Sequence, residues 1–228
     1  MNSLPDPYHA LVIGATGAIG AAFVDHLKSD PRCAGVVGLS RRSIPSLDLT
    51  VPASIAEAAD ALGAQGPFHL VIIATGILHG SAFMPEKKLE SLSQAQLSET
   101  FQINTFGPAL AIQQFLPLLH DDGILAVLSA KVGSIEDNRL GGWYAYRASK
   151  AALNMIVKTA AIECSRRWPR KRLIAIHPGT VASALTRPFR PDARPAMDAT
   201  ADMLRVLDSL TSEDIGCFVS YSGERLPW

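Results

Sequence analysis

Short apolar runs alternate along this chain with longer stretches in which apolar residues recur at helical spacing. Ala10–Ile13 predicts a strand that stops at Gly14, and Ile19–Ser29 predicts a helix with Phe23, Val24 and Leu27 at helical spacing. Gly35–Leu39 predicts a second strand and the Ala-rich Ile55–Leu62 a second helix. Leu70–Ala74 is a continuous apolar run, the pattern of a strand covered on both faces. Leu97–Leu119 predicts one long helical region, and Ile124–Ser129 the next strand. Tyr144–Arg167 predicts a long helix ended by Pro169, and Leu173–His177 a strand halted by Pro178-Gly179. Ala199–Ser209 and Cys217–Ser220 predict a last helix and strand. This alternation implies parallel strands joined by right-handed crossovers. The expected fold is α/β, a single doubly wound parallel sheet of Rossmann type with helices on both faces. One domain over residues 1–228 is expected. Ser183–Ala196 is irregular, with three prolines and three arginines, and predicts a lid or binding loop.

Composition narrows the class of protein. Hydrophobic residues are 48% of the chain, enough for a full core. The 21 basic and 21 acidic residues balance, which argues against nucleic acid or an anionic membrane as partner. Cys33, Cys164 and Cys217 are too far apart to suggest a disulfide framework. His9, His69, His79 and His120 show no metal spacing and His177 reads as part of a turn, so no metal is expected. Met1–Tyr8 lacks a basic segment followed by a long apolar one, and a cytoplasmic protein is the expectation. The basic run Arg166–Arg172 reads as a solvated helix end, where cations favour the dipole.

The first strand runs directly into Gly14-Ala15-Thr16-Gly17-Ala18-Ile19-Gly20 and a helix follows. Glycines let a backbone turn sharply and approach a pyrophosphate seated on the free N–H groups of a helix N-terminus. The predicted cofactor contacts here are Gly14, Thr16, Gly17, Ile19 and Gly20. At the end of the second strand an NAD site places a carboxylate for the ribose 2′-hydroxyl. This chain reads Leu39-Ser40-Arg41-Arg42-Ser43, with two guanidiniums suited to a 2′-phosphate. The reading is therefore NADP(H), the alternative being a solvated arginine pair on a loop. Asp48 either meets the adenine amino group or caps the helix that follows.

Tyr146 and Lys150 lie four apart on a predicted helix, hence on one face. A tyrosine, with an ordinary pKa of about 10, becomes a useful acid/base when an ammonium stabilises its anion. Such a pair can give a proton to a carbonyl oxygen as hydride arrives, or take one from an alcohol.

With these motifs in order, the whole chain resembles a short-chain dehydrogenase/reductase. The Gly loop, Asn104 in Phe101-Gln102-Ile103-Asn104-Thr105, the serine-bearing strand end, Tyr146/Lys150 and His177-Pro178-Gly179-Thr180 follow the family's order. Within the family it is most similar to the C-factor-like group. That likeness is carried by Gly133–Asn138, Gly141–Lys150 and the C-terminal Gly223-Glu224-Arg225-Leu226-Pro227-Trp228. The resemblance implies Tyr146 as proton donor, and Lys150 as the residue that binds the nicotinamide ribose and holds the tyrosine pKa down. It implies Asn104 as a helix-kinking residue in the proton relay. Pro178, Gly179 and Thr180 would lie near the nicotinamide carboxamide, and Val181, Ala74 and Gly76 would complete the cofactor contacts. It also implies a homodimer or homotetramer built on the helices over Leu97–Leu119 and Tyr144–Arg167.

Three departures stand out. Ala18 replaces the middle glycine of the family's loop. The family's Asn-Asn-Ala-Gly turn reads Ile73-Ala74-Thr75-Gly76, so its bracing must come from elsewhere, with Thr75 the nearest source. The family's catalytic serine falls on Ala130. Ser129 and Ser134 are the alternatives, or none replaces it. Strand alternation aims Ser129 at the other face, but a strand end can rotate as it enters a loop, and Ser129 is the expected fourth catalytic residue.

The function read from the sequence is reversible hydride transfer between NADP(H) and a small carbonyl or alcohol substrate. Phe189, Pro188 and Pro191 would form an apolar pocket wall, with arginines nearby for an anionic group. A cofactor-binding signalling or regulatory protein without turnover is the rival reading, favoured by Ala130, Ala74 and Thr75.

Overall fold

The computed structural model describes residues 1–228. Its strands are β1 (Tyr8–Ile13), β2 (Cys33–Leu39), β3 (Phe68–Ile73), β4 (Leu119–Leu128), β5 (Arg172–His177) and β6 (Phe218–Ser220). They form one six-stranded sheet in the order β2-β1-β3-β4-β5-β6, with every neighbouring pair parallel. The helices are α1 (Ala18–Ser29), α2 (Pro52–Leu62), α3 (Gln94–Phe101), α4 (Gly107–Phe115), α5 (Tyr144–Arg167) and α6 (Ala196–Ser209).

The continuous apolar runs are explained by burial on both faces. Leu11 and Ile13 of β1 and Val71 and Ile73 of β3 enter a core with α2, α4 and α5. Their neighbours Ala10, Val12, Leu70 and Ile72 enter a second core, roofed by Phe23 and Leu27 of α1 and Met203 and Leu207 of α6. Alternate strand residues thus feed opposite layers, and no strand position in these runs can be polar without cost.

The region Leu97–Leu119 is not one helix. α3 passes into a π-helical turn over Gln102–Phe106, α4 follows, and Leu119 opens β4. Pro108 has no N–H to donate to the carbonyl four residues before it, which disfavours a regular α ladder at this point. The basic run is a solvated helix end only in part: Arg166, Arg167 and Arg170 are exposed, but its far end is not. Arg167 and Lys171 flank the Trp168 ring, while Lys171 and Arg172 are buried and donate to the carbonyls of Leu116 and Leu210. The C-terminal segment returns to the body: Leu226 joins the core and Trp228 stacks on Phe218 at 5.5 Å.

Because all six strands run the same way, the β1–α1 turn and the ends of β3, β4 and β5 meet at one edge of the sheet. That edge is where a doubly wound sheet opens a crevice.

Candidate active site

The turn from β1 into α1 is built around glycine. Gly14 has φ +88°, and a Cβ there would lie 2.7 Å from the Ala74 carbonyl oxygen. At Gly20 a Cβ would lie 2.1 Å from the Gly14 oxygen, so the loop could not close on the helix. Ala18 is the first residue of α1 and is exposed, so its methyl is accommodated. α1 has no side-chain cap and no acid in its first turn, and the N–H groups of Ala18, Ile19 and Gly20 have no backbone acceptor. Free donors at a dipole's positive end fit a pyrophosphate. Thr16 and Gly17 are exposed on the same loop. Across from it, Thr75 Oγ1 is buried without a partner. The expectation that Thr75 braces the β3 turn is therefore corrected. Asn104 braces it instead, accepting from Ile77 N–H and donating to Ile77 O, both at 2.8 Å.

At the end of β2, Arg41 and Arg42 are exposed and neither pairs with a carboxylate. Asp48 accepts from Thr50 N–H at 2.9 Å and Thr50 Oγ1 at 2.8 Å. These bonds, and then the charge of Arg41, hold its pKa below the usual carboxylate range. It thus fixes the turn leading to α2, whose own cap position is Val51.

A cavity of about 730 Å³ extends from Gly17–Ile19 past Ala74–Gly76 to the far side of the sheet edge, where Tyr146 and Lys150 line it. Lys150 is 3% exposed, and its Nζ donates to Leu128 O at 2.9 Å. Burial lowers its pKa to about 8 and raises that of Tyr146 to about 12. The tyrosine shift runs opposite to the lowering implied by the resemblance, because burial penalises the anion and no charge acts against it here. Asn104 is fully buried in the π-helical turn and also donates to Ser149 Oγ at 3.1 Å. A Cβ on Gly76 would stand 3.3 Å from Asn104 Oδ1 and 3.4 Å from Lys150 Nζ, which places the three residues together. Gly133 serves the same convergence, since a Cβ there would lie 2.8 Å from Lys150 Cβ.

The family model described as enoyl-(acyl carrier protein) reductase matches residues 21–221. The chain belongs to the short-chain dehydrogenase/reductase family. It is 31% identical to short-chain dehydrogenase srdF of Neurospora crassa, over 99% of this chain and 90% of the relative. It is 37% identical to the C-signal of Myxococcus xanthus, over 61% of this chain and 83% of the relative. Among solved structures, an NADPH-bound carbonyl reductase from chicken fatty liver superposes with a TM-score of 0.85 at 25% identity, covering 97% of this chain and 94% of that one. No helix is long and apolar enough to cross a membrane.

Against the family pattern, the serine position is the main gap. Ala130 lines the cavity and brings no hydroxyl. Ser129 is buried, with Oγ 2.6 Å from Oδ1 of Asn154, one turn beyond Lys150 on α5. That separation suits an O–H donor, so the hydroxyl proton is engaged there. Ser134 lies outside the cavity wall. Its hydroxyl donates to Trp228 O and accepts from Asp137 N–H. Pro178, Gly179, Thr180 and Val181 line the cavity. A Cβ on Gly179, at φ +77°, would strike the Tyr221 ring at 2.7 Å.

The irregular loop meets the cavity through Leu185 and Phe189, whereas Pro188 and Pro191 are exposed and off its wall. Arg190 lines it but pairs with Asp192. Three residues escaped the sequence reading. Trp143 lines the cavity in a left-handed conformation, φ 52°, and packs on Phe189 at 5.4 Å. Glu86, buried, accepts from Ala145 N–H at the start of α5 at 3.2 Å. His177, read as a turn residue, also lines the cavity. The adjacent Gly141-Gly142, both at positive φ, were the available signal for Trp143. Nothing local marks Glu86.

Proposed function

We propose that this protein is an NADP(H)-dependent carbonyl reductase with Tyr146 as the proton donor. The observation that carries the reading is the convergence of Tyr146 and Lys150 on one cavity, with Asn104 behind Gly76 in its wall, and a helix N-terminus that only a glycine-rich turn could open. Arg41 and Arg42, free of carboxylates at the end of β2, favour a 2′-phosphate over a 2′-hydroxyl. Bound NADPH would supply the hydride. As the substrate carbonyl carbon accepts that hydride, its oxygen would take the Tyr146 hydroxyl proton, giving an alcohol. A tyrosine whose pKa is about 12 holds its proton at neutral pH, which is the form reduction needs. Lys150, still mostly charged at neutral pH, would offset the tyrosinate charge once the proton has left. Trp143 and Phe189 form an aromatic wall suited to the substrate's apolar part.

The rival reading, a cofactor-binding signalling protein, is favoured by Ala130 and by the likeness to a relative named C-signal. NADPH consumption across quinones, aldehydes and ketones, run beside calorimetric NADPH binding, separates the two. Binding with turnover of at least one carbonyl class is expected. Tight binding with no turnover would transfer the assignment to the rival.

A further inference from the structure

The reduction proposed above needs a hydrogen-bond donor aimed at the carbonyl oxygen besides Tyr146, because charge grows there as hydride arrives. The family supplies a serine, and this chain has Ala130. The neighbouring hydroxyls are engaged: Ser129 donates to Asn154 and Ser134 to Trp228. Thr75 packs toward the phosphate loop, since its Cγ2 would touch a Cβ on Gly14 at 2.8 Å.

His177 stands where the donor is missing. The β4–β5 register pairs Leu128 with Ile176, and Ser129 N–H donates to Ile176 O at 2.8 Å, so His177 is the next residue beside the Ser129–Ala130 corner. Alternation fixes its direction. Leu173 and Ala175 of β5 pack in the core with α5, whereas Ile174 and Ile176 pack on the opposite face, which sends His177 toward α5 and Tyr146. His177 lines the cavity, and its Nδ1 is buried with no partner. That leaves Nε2 as the nitrogen through which the imidazole can bond a group in the cavity. Burial, reinforced by the charge of Lys131, lowers the imidazole pKa to about 4, so the ring is neutral at pH 7. A neutral imidazole polarises a carbonyl by its N–H without transferring the proton.

We propose that His177 is the catalytic hydrogen-bond donor that polarises the substrate carbonyl, in place of the serine absent at Ala130. This rests on the carbonyl reductase reading of the same cavity. It makes Ala130 tolerable, and it predicts that the two positions are functionally exchangeable.

The experiment is a rescue cycle on the full chain, read by kcat for a carbonyl that wild type reduces, with NADPH affinity and circular dichroism measured alongside. His177→Leu is expected to lower kcat by about 10²-fold or more, with NADPH affinity within about twofold of wild type. Adding Ala130→Ser to that variant should recover at least about tenfold. His177→Gln, which keeps an N–H donor and a similar reach, should fall between wild type and His177→Leu. A His177→Leu protein with kcat within about twofold of wild type overturns the proposal. So does a loss that Ala130→Ser leaves unrepaired and that His177→Gln shares in full, since a packing role would give that pattern. A wild-type protein that reduces no carbonyl is a different result, which overturns the underlying reading before any His177 variant is compared.

Discussion

Lys150 is buried and Tyr146 half-buried, and the loss of solvent moves them in opposite directions, Tyr146 up to about 12 and Lys150 down to about 8. At neutral pH Tyr146 therefore holds a proton to give, and Lys150, with a pKa of about 8, is still mostly charged beside it. Tyr146→Phe should lower carbonyl reduction by about 10²–10⁴-fold while NADPH binding stays nearly intact, because only the hydroxyl is removed. Lys150→Ala should reduce both. The pH profile follows from the same two groups. Reduction, which needs protonated Tyr146 beside charged Lys150, should be level at neutral pH and fall above about 8 as Lys150 loses its proton. Alcohol oxidation, which needs the tyrosinate, should gain from rising pH until that same loss intervenes. Initial rates in both directions across pH check this. At the end of β2, Arg41→Asp should weaken NADPH by about tenfold or more and narrow its advantage over NADH. Calorimetry with both cofactors tests it, and equal wild-type affinity for the two would refute the arginine reading.

Elements position these residues by means other than their own regularity. The α3–α4 region is bent by its π-helical turn, and that irregularity is what turns Asn104 inward to hold both backbone groups of Ile77. α5, by contrast, is regular over Tyr144–Arg167 and uses its helical period to aim Tyr146, Lys150 and Asn154 along one stripe. At the opposite edge of the sheet the starts of β1, β3 and β4 carry a different arrangement. His69 stacks with His120 at 4.6 Å and with His9 at 6.3 Å, and it accepts from His9 N–H. Burial, and then the charges of His120 and His9, lower the His69 pKa from 6.5. A folded pKa below the unfolded one means that the unfolded chain takes the proton more readily. This contribution to stability is therefore complete above about 6.5 and is lost as pH falls through the folded value. Thermal midpoints should drop between about pH 7.5 and about pH 5.5, and His69→Phe should flatten that slope. An unchanged slope would show that the stack carries no linkage.

For the whole molecule, the outer face of α5 exposes Met155 at 66% and Ile162 at 44%, two turns apart on one side, and the π-helical turn exposes Phe106 at 50%. We expect these surfaces to meet a second copy through a two-fold contact, the simplest closed assembly. Sedimentation at micromolar concentration should give a species of at least twice the 24.3 kDa chain, and Met155→Glu with Ile162→Glu should return it toward the monomer. A single 24.3 kDa species for wild type would refute the contact. The six strands, their parallel sense and the bounds of α5 were legible in the sequence, because side-chain alternation and the helical repeat are local and two-sided burial forces each run to be apolar. The glycines at 14 and 20 and the Tyr146–Lys150 pair were legible for the same reason: turn sterics and helical spacing need only a few adjacent residues. Hydrogen-bond partners were not. Ser129 meets Asn154 across 25 residues and Ser134 meets Trp228 across 94, so each serine's availability depends on which distant element the crossovers bring to it. The same holds for Trp143 against Phe189 and for His177, read as a turn residue until the β4–β5 register set it in the cavity wall. Local pattern determined the scaffold and the motifs on it, while long-range packing decided which polar groups were left free to do chemistry.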